Sequence, residues 1–315
     1  EYTRIYPKNL ILGIGCKKGT KAEDILISVR APIGAMNYAK EKCCIGRGVA
    51  ALTPNEEKVS SEFIFWLLKG KNNELNQKGT GSTFKAIGRK VLEEIQVPEI
   101  NLELQRKYAS NLERIYSIIQ DRQRQLEQLD KLVRARFVEM FGDVKDNPHN
   151  YEIFLIKTLL KSCEAGWSAN GTQREKKDNE IAVLKVSSVT KGYFIPEECK
   201  VLDDQANIKK YVTPEKGDLI FSRANTREMV GATAVIMEDY PLLILPDKLW
   251  KIKFKSSVNV FYMKYVLSSK SIRNEFSAAS TGTSGSMYNV SMDKFKSIKI
   301  PVAPIELQNQ FADFV

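Results

Sequence analysis

The chain has 315 residues, 43% hydrophobic and 27% charged, which suits about two soluble domains with real cores. Its net charge of +10 favours a polyanionic partner, because Lys and Arg neutralise phosphates and release counterions. No stretch approaches the ~20 apolar residues of a membrane span, and the charged, Pro7-bearing start is no signal peptide, so a cytoplasmic protein with no membrane partner is expected.

In chain order, buried strands are predicted over 25–29, 181–189, 219–222 and 232–237, with short strands over 95–97 and 298–300. Short helices are predicted over 63–68 and 260–267. The segment 102–141 has neither Pro nor Gly. Leu112, Ile119, Leu126 and Val133 share one heptad position, and Ile115, Arg122, Leu129 and Arg136 the other. This spacing predicts a coiled-coil-like helix, about 60 Å long, with Leu112, Ile115, Ile119, Leu126, Leu129 and Val133 as its packing stripe. Asn101 suits its N-cap and Gly142 the residue just past its end.

Two blocks recur in the same order at an offset of about 200 residues, a period too long for a solenoid. Val97-Pro98 through Glu103-Leu104-Gln105 matches Ile300-Pro301 through Glu306-Leu307-Gln308. A Gly/Ser/Thr loop precedes each copy, at 79–85 and 281–289. Asp24-Ile25-Leu26-Ile27-Ser28-Val29-Arg30-Ala31 matches Asp218-Leu219-Ile220-Phe221-Ser222-Arg223-Ala224 with one gap, which makes Arg30 the counterpart of Arg223. The expected organisation is α+β: a domain over 1–100, the helix over 101–142, a second domain over 143–300, and the start of a second helix over 301–315. The first copy is expected to lack a leading portion of about 50 residues, and the second helix to be cut short at Val315, as in a fragment.

Chemistry of the chain's own is not expected. Cys16, Cys43, Cys44, Cys163 and Cys199 form no C-x-x-C pair, so reduced thiols are expected and a zinc site is not. His149 is the single histidine, which argues against a His metal site or a Ser-His-Asp triad. No Pro-Pro pair or G-x-x-x-x-G-K-[S/T] loop is present. Pro246-Asp247 has no downstream [Asp/Glu]-x-Lys to complete a metal nuclease.

Together the repeated blocks resemble the specificity (S) subunits of type I restriction-modification enzymes. The residues carrying the resemblance are the two Pro-to-Glu-Leu-Gln entries and Arg134-Ala-Arg-Phe137-Val-Glu-Met-Phe-Gly-Asp143. Gly217-Asp-Leu-Ile-Phe-Ser-Arg-Ala-Asn225-Thr and Gly282-Thr-Ser-Gly-Ser-Met-Tyr-Asn289 add to it. The resemblance implies two target recognition domains that each read half of a split DNA site. It implies two antiparallel helices whose length sets the gap between the halves. It also implies methyltransferase (M) and restriction (R) subunits as partners. S-adenosylmethionine belongs to the M subunit, and no cofactor is expected in this chain. Two alternatives stay open: the recognition region of a fused restriction-methylation enzyme, or a fragment that binds the M subunit without reading DNA. An exposed helix stripe would also favour a two-fold dimer.

Base reading in the major groove needs paired donors and acceptors, and phosphate contacts need Lys, Arg, Ser, Thr and backbone N–H groups. Arg223, Asn225, Thr226 and Arg227, just after a strand, are the leading candidates in the second domain, and Arg30 in the first. The loops add Thr80, Ser82, Thr83, Lys85, Ser284, Ser286, Tyr288 and Asn289. Arg174, Lys185, Ser187, Ser188 and Lys248 are weaker candidates.

Overall fold

In the computed structural model, which describes residues 19–81, 85–279 and 288–315, contacts divide the chain into two units, Glu1–Leu126 and Glu127–Val315. Unit 1 opens with β1 (Gly19–Thr20), β2 (Ile25–Ser28), β3 (Met36–Tyr38), β4 (Cys43–Cys44) and β5 (Val49–Leu52). β1 pairs with β4, and β2 is the centre of an antiparallel β3-β2-β5 sheet. Ile25 and Ile27 point to one face and are fully buried, while Leu26 and Ser28 are half-buried, as the two-residue period of a strand requires. Helices α1 (Ser61–Gly70), α2 (Asn72–Gln77) and α3 (Arg89–Glu93) follow. Ser60 caps α1 by accepting the Phe63 N–H, and Phe65 stacks on Tyr38 of β3 at 4.8 Å.

Helix α4 (Leu102–Phe141) has the predicted bounds. Asn101 Oδ1 accepts the Leu104 N–H at 2.9 Å at its start. At its end Gly142 adopts φ +75 and donates its N–H to the Val138 carbonyl at 2.8 Å. A Cβ on Gly142 would fall 2.2 Å from the Pro148 ring, so only glycine fits there.

Unit 2 contains β6 (Ile153–Leu155), α5 (Ile156–Leu159), β7 (Leu160–Ala165), β8 (Gly171–Thr172), β9 (Ala182–Leu184), a 3-10 turn (Val186–Val189) and β10 (Cys199–Leu202). It continues with β11 (Leu219–Ser222), β12 (Ala224–Asn225), β13 (Thr233–Val235), β14 (Leu243–Ile244) and β15 (Leu249–Phe254). It ends with α6 (Val260–Ser268), α7 (Lys270–Ala279), β16 (Tyr288–Asn289), α8 (Met292–Ser297), β17 (Lys299–Pro301) and α9 (Ile305–Phe314). Two four-stranded sheets, β13-β11-β15-β7 and β14-β9-β10-β8, are accompanied by the small ladders β12-β16 and β17-β6. Phe137 and Phe141, at the end of α4, pack among Tyr262 and Tyr265 of α6 and Phe311 of α9, with centroids 4.9–5.8 Å apart. Burying each such ring contributes roughly 1.5–3 kcal/mol.

The sequence repeat is a repeat of hydrogen bonds. Lys21 and Glu215 donate their N–H groups to Asp24 and Asp218 Oδ2 at 2.7 and 2.8 Å. Ala39 and Ile236 donate to the Asp24 and Asp218 carbonyls, Gly34 and Gly231 to those of Ser28 and Ser222, and Ile87 and Val290 to those of Val29 and Arg223. The repeated glutamines are equivalent too. Gln105 Oε1 accepts the N–H of Ser60, the N-cap of α1, at 2.8 Å, and its Nε2 donates to the Ile100 carbonyl at 2.8 Å. Gln308 Oε1 accepts the N–H of Asn259, the N-cap of α6, at 2.7 Å, and its Nε2 donates to the Ala303 carbonyl at 2.6 Å.

Four expectations need correction. The register runs without a gap, so Val29 occupies the place of Arg223, and Arg30 that of Ala224. Residues 95–97 are not a strand: the equivalent β17 pairs with β6, and 95–97 have no such partner among the described residues. The strand expected over 181–189 covers only β9, then tightens into the 3-10 turn. Cys43, Cys163 and Cys199 are free thiols, but Cys44 is disulfide-bonded rather than reduced.

Candidate nucleic-acid interface

Some of the residues singled out in the sequence gather at one end of the central strand of each unit. In unit 2 the chain leaves β11 at Arg223 and enters β12, which pairs with β16 in the register Ala224↔Asn289 and Asn225↔Tyr288. Arg223 N–H donates to the Lys248 carbonyl at 3.0 Å, and the Val290 N–H donates to the Arg223 carbonyl at 2.9 Å. Strand pairing therefore brings the backbone of Arg223, Asn225, Lys248, Tyr288 and Asn289 together at one platform, although Arg223 and Asn289 are 66 positions apart in sequence. Thr226 and Arg227 are exposed at its rim.

Unit 1 repeats this arrangement more sparely. Arg30 and Thr80 both bridge to Ala86, and the Ala31 N–H donates to the Lys85 carbonyl at 3.1 Å. Arg30, Thr80 and Lys85 are exposed. Ser82, Thr83, Ser284 and Ser286 lie outside the described residues.

The remaining candidates sit elsewhere in unit 2 and are mostly engaged. Arg174 makes a two-pronged pair with Glu180 at 2.7 Å, which holds that carboxyl down at about 2. Lys185 pairs with Glu198 at 2.7 Å, and the Ser187 hydroxyl donates to the same carboxylate at 2.5 Å. Ser188 is fully buried on the 3-10 turn and leaves the surface set.

Sequence reasoning missed the acid beneath Arg223. Arg223 Nε donates to the Asp247 carbonyl at 2.8 Å and Nη2 to Asp247 Oδ2 at 3.0 Å. The Ser168 hydroxyl donates to Asp247 Oδ1. Burial opposes ionisation of Asp247, but Ser168 and Arg223 outweigh it and hold the carboxyl below its ordinary range. Below the platform, Lys251 bridges Glu215 at 2.7 Å and the buried Asp218 at 3.2 Å. Lys251 and Lys253 hold Glu215 down at about 2, whereas burial pushes Asp218 up.

A second kind of surface lies on α4. Leu112, Ile115, Ile119, Leu126 and Leu129 are exposed, Leu126 at 67%, while Val133 is half-buried against the unit 2 core. In unit 1 an apolar groove of about 510 Å³ is lined by Phe63, Trp66, Leu67, Tyr108 and Leu112. The repeat equates Phe63, Trp66 and Tyr108 with Tyr262, Tyr265 and Phe311, the residues that hold Phe137 and Phe141 in unit 2.

Among the described residues no cluster of His, Cys, Asp and Glu could hold a metal ion, and no helix is long and apolar enough to cross a membrane. A family model described as type I restriction modification DNA specificity domain matches residues 9–129 and 148–315. The chain is 40% identical over 131 residues to the putative type I restriction enzyme MjaX specificity subunit of Methanocaldococcus jannaschii, covering 42% of this chain and 31% of that protein. It is 29% identical over 197 residues to the MjaIX specificity subunit of the same organism, covering 56% and 44%. It thus spans less than half of these two relatives. The Escherichia coli EcoKI specificity subunit is 23% identical over 330 aligned positions, covering 96% of this chain and 68% of that one. A crystal structure of a type I restriction-modification S subunit from M. genitalium shares the fold, with a TM-score of 0.50 at 15% identity over 100% of this chain and 81% of the other.

Proposed function

Because the chain belongs to the type I restriction modification DNA specificity domain family, we propose that it is the non-catalytic subunit that reads a split DNA site and directs M and R subunits to it. The observation that carries this reading is the pairing of β12 with β16. It supports the reading by bringing Arg223, Asn225, Lys248, Tyr288 and Asn289, residue types suited to base and phosphate contacts, together from distant segments. The sparer unit 1 platform of Arg30, Thr80 and Lys85 takes the other half-site. Each unit reads its own bases, and the net charge of +10 supplies the sequence-independent attraction to phosphates. Methyl transfer and S-adenosylmethionine belong to the M subunit, and the work is cytoplasmic. The helix stripe is the seam for a partner helix; in the isolated chain a second copy covers it two-fold.

The test is selection of duplexes from a randomised pool by the chain in complex with its M subunit. A two-part motif with an unread gap is expected. Recovery of unselected sequence from a stable complex would sink the recognition role and leave only M-subunit binding.

A further inference from the structure

Asp247 occupies one edge of the Arg223 guanidinium, and the other edge has no partner among the described residues. Nε and one Nη2 proton are taken by the Asp247 carbonyl and carboxylate. The remaining edge carries an Nη1 and an Nη2 proton, side by side and parallel, on a side chain 29% exposed. The brace is itself held, since Ser168 occupies the second carboxylate oxygen.

A fixed two-donor fork discriminates among bases. Guanine offers two adjacent acceptors, O6 and N7, in the major groove. Adenine offers one acceptor beside a donor, cytosine a donor, and thymine a single acceptor beside a methyl group. An unbraced arginine is equally suited to phosphate, which carries no sequence information. Bracing fixes the direction of the fork and lowers the ordering cost of a bidentate contact. The repeat supplies a contrast. Val29 and Arg223 donate equivalent hydrogen bonds, to the Gly48 and Lys248 carbonyls, so Arg47 stands where Asp247 does. Unit 1 therefore has neither fork nor brace at this position.

Resting on the DNA-reading function proposed above, we infer that Arg223 reads a guanine in the half-site of unit 2, with Asp247 as its positioning residue and no counterpart in unit 1. The experiment is the same duplex selection, run with the full chain and with Arg223→Ala, Arg223→Lys and Asp247→Ala. The unaltered chain selects a motif with a fixed guanine in one half-site. Arg223→Ala lowers the preference for guanine at that single position by about ten- to a hundredfold. Arg223→Lys, which keeps the charge without the fork, does the same, and Asp247→Ala lowers it by less. Retention of the full motif by Arg223→Ala would overturn the inference and make the pair a structural brace. An even loss of affinity across target and random duplexes would also overturn it, by making Arg223 a phosphate contact. Loss of the whole half-site by both Arg223 variants would contradict single-base reading. A pool without any motif from the unaltered chain would instead overturn the proposed function itself.

Discussion

Gln105 and Gln308 show how one buried side chain fixes a junction. Each amide accepts from the backbone of one helix N-cap and donates to the backbone just ahead of its own helix. Replacing Gln308 by Leu strands the half-buried Asn259 N–H and the buried Ala303 carbonyl, and a loss of about 1–3 kcal/mol is expected in denaturant unfolding. A change within error would show that these bonds are dispensable. Acid should weaken unit 2 through Glu180 and Glu215. Both are depressed to about 2 in the folded chain, so their stabilisation is complete above the ordinary glutamate range and is lost as pH falls towards 2. Asp218, pushed up by burial, acts in the opposite sense. Melting curves between pH 6 and about 2.5 should fall, and fall less in Glu215→Gln. The glutamines were legible in the sequence as a repeat but not as junction locks, because their partners are backbone atoms. Asp247 was visible only as half of a Pro-Asp pair, because its contact with Arg223 arises from sheet pairing.

At the scale of elements, α4 was legible to its bounds. No residue breaks it, and Asn101 and Gly142 end it by local chemistry. Residues 95–97 misled because a strand exists only with a partner, and periodicity does not reveal whether a partner is present. Helix α4 makes three predictions. Leu126→Gln should leave the chain's own stability within about 0.5 kcal/mol, since Leu126 is exposed, yet weaken self-association in sedimentation. Unchanged self-association would remove the stripe from the interface. Phe137→Ala, by contrast, opens the aromatic cluster of unit 2 and should cost about 3–5 kcal/mol. A heptad inserted into α4 adds about 10 Å and should widen the gap between half-sites by about three base pairs. An unchanged gap would end the spacer role of this helix.

At the scale of the whole molecule, one hydrogen-bonding scheme is written twice with different residues at the platform. The sequence made the duplication visible through blocks that serve the fold: the aspartates, the buried strands and the Glu-Leu-Gln entries. It concealed the register, because a gap placed Arg30 opposite Arg223 where the backbone sets Val29. The platform side chains diverge between the copies, which suits two half-sites of different sequence. The central claim is therefore that this chain carries sequence choice to a methyltransferase. Its most direct test is to map methylated adenines on a randomised duplex library after incubation with the chain, its M subunit and S-adenosylmethionine. The account predicts methylation confined to a two-part motif that shifts when the Arg223 platform is altered. Methylation indifferent to sequence, or none from a stable complex, would contradict it.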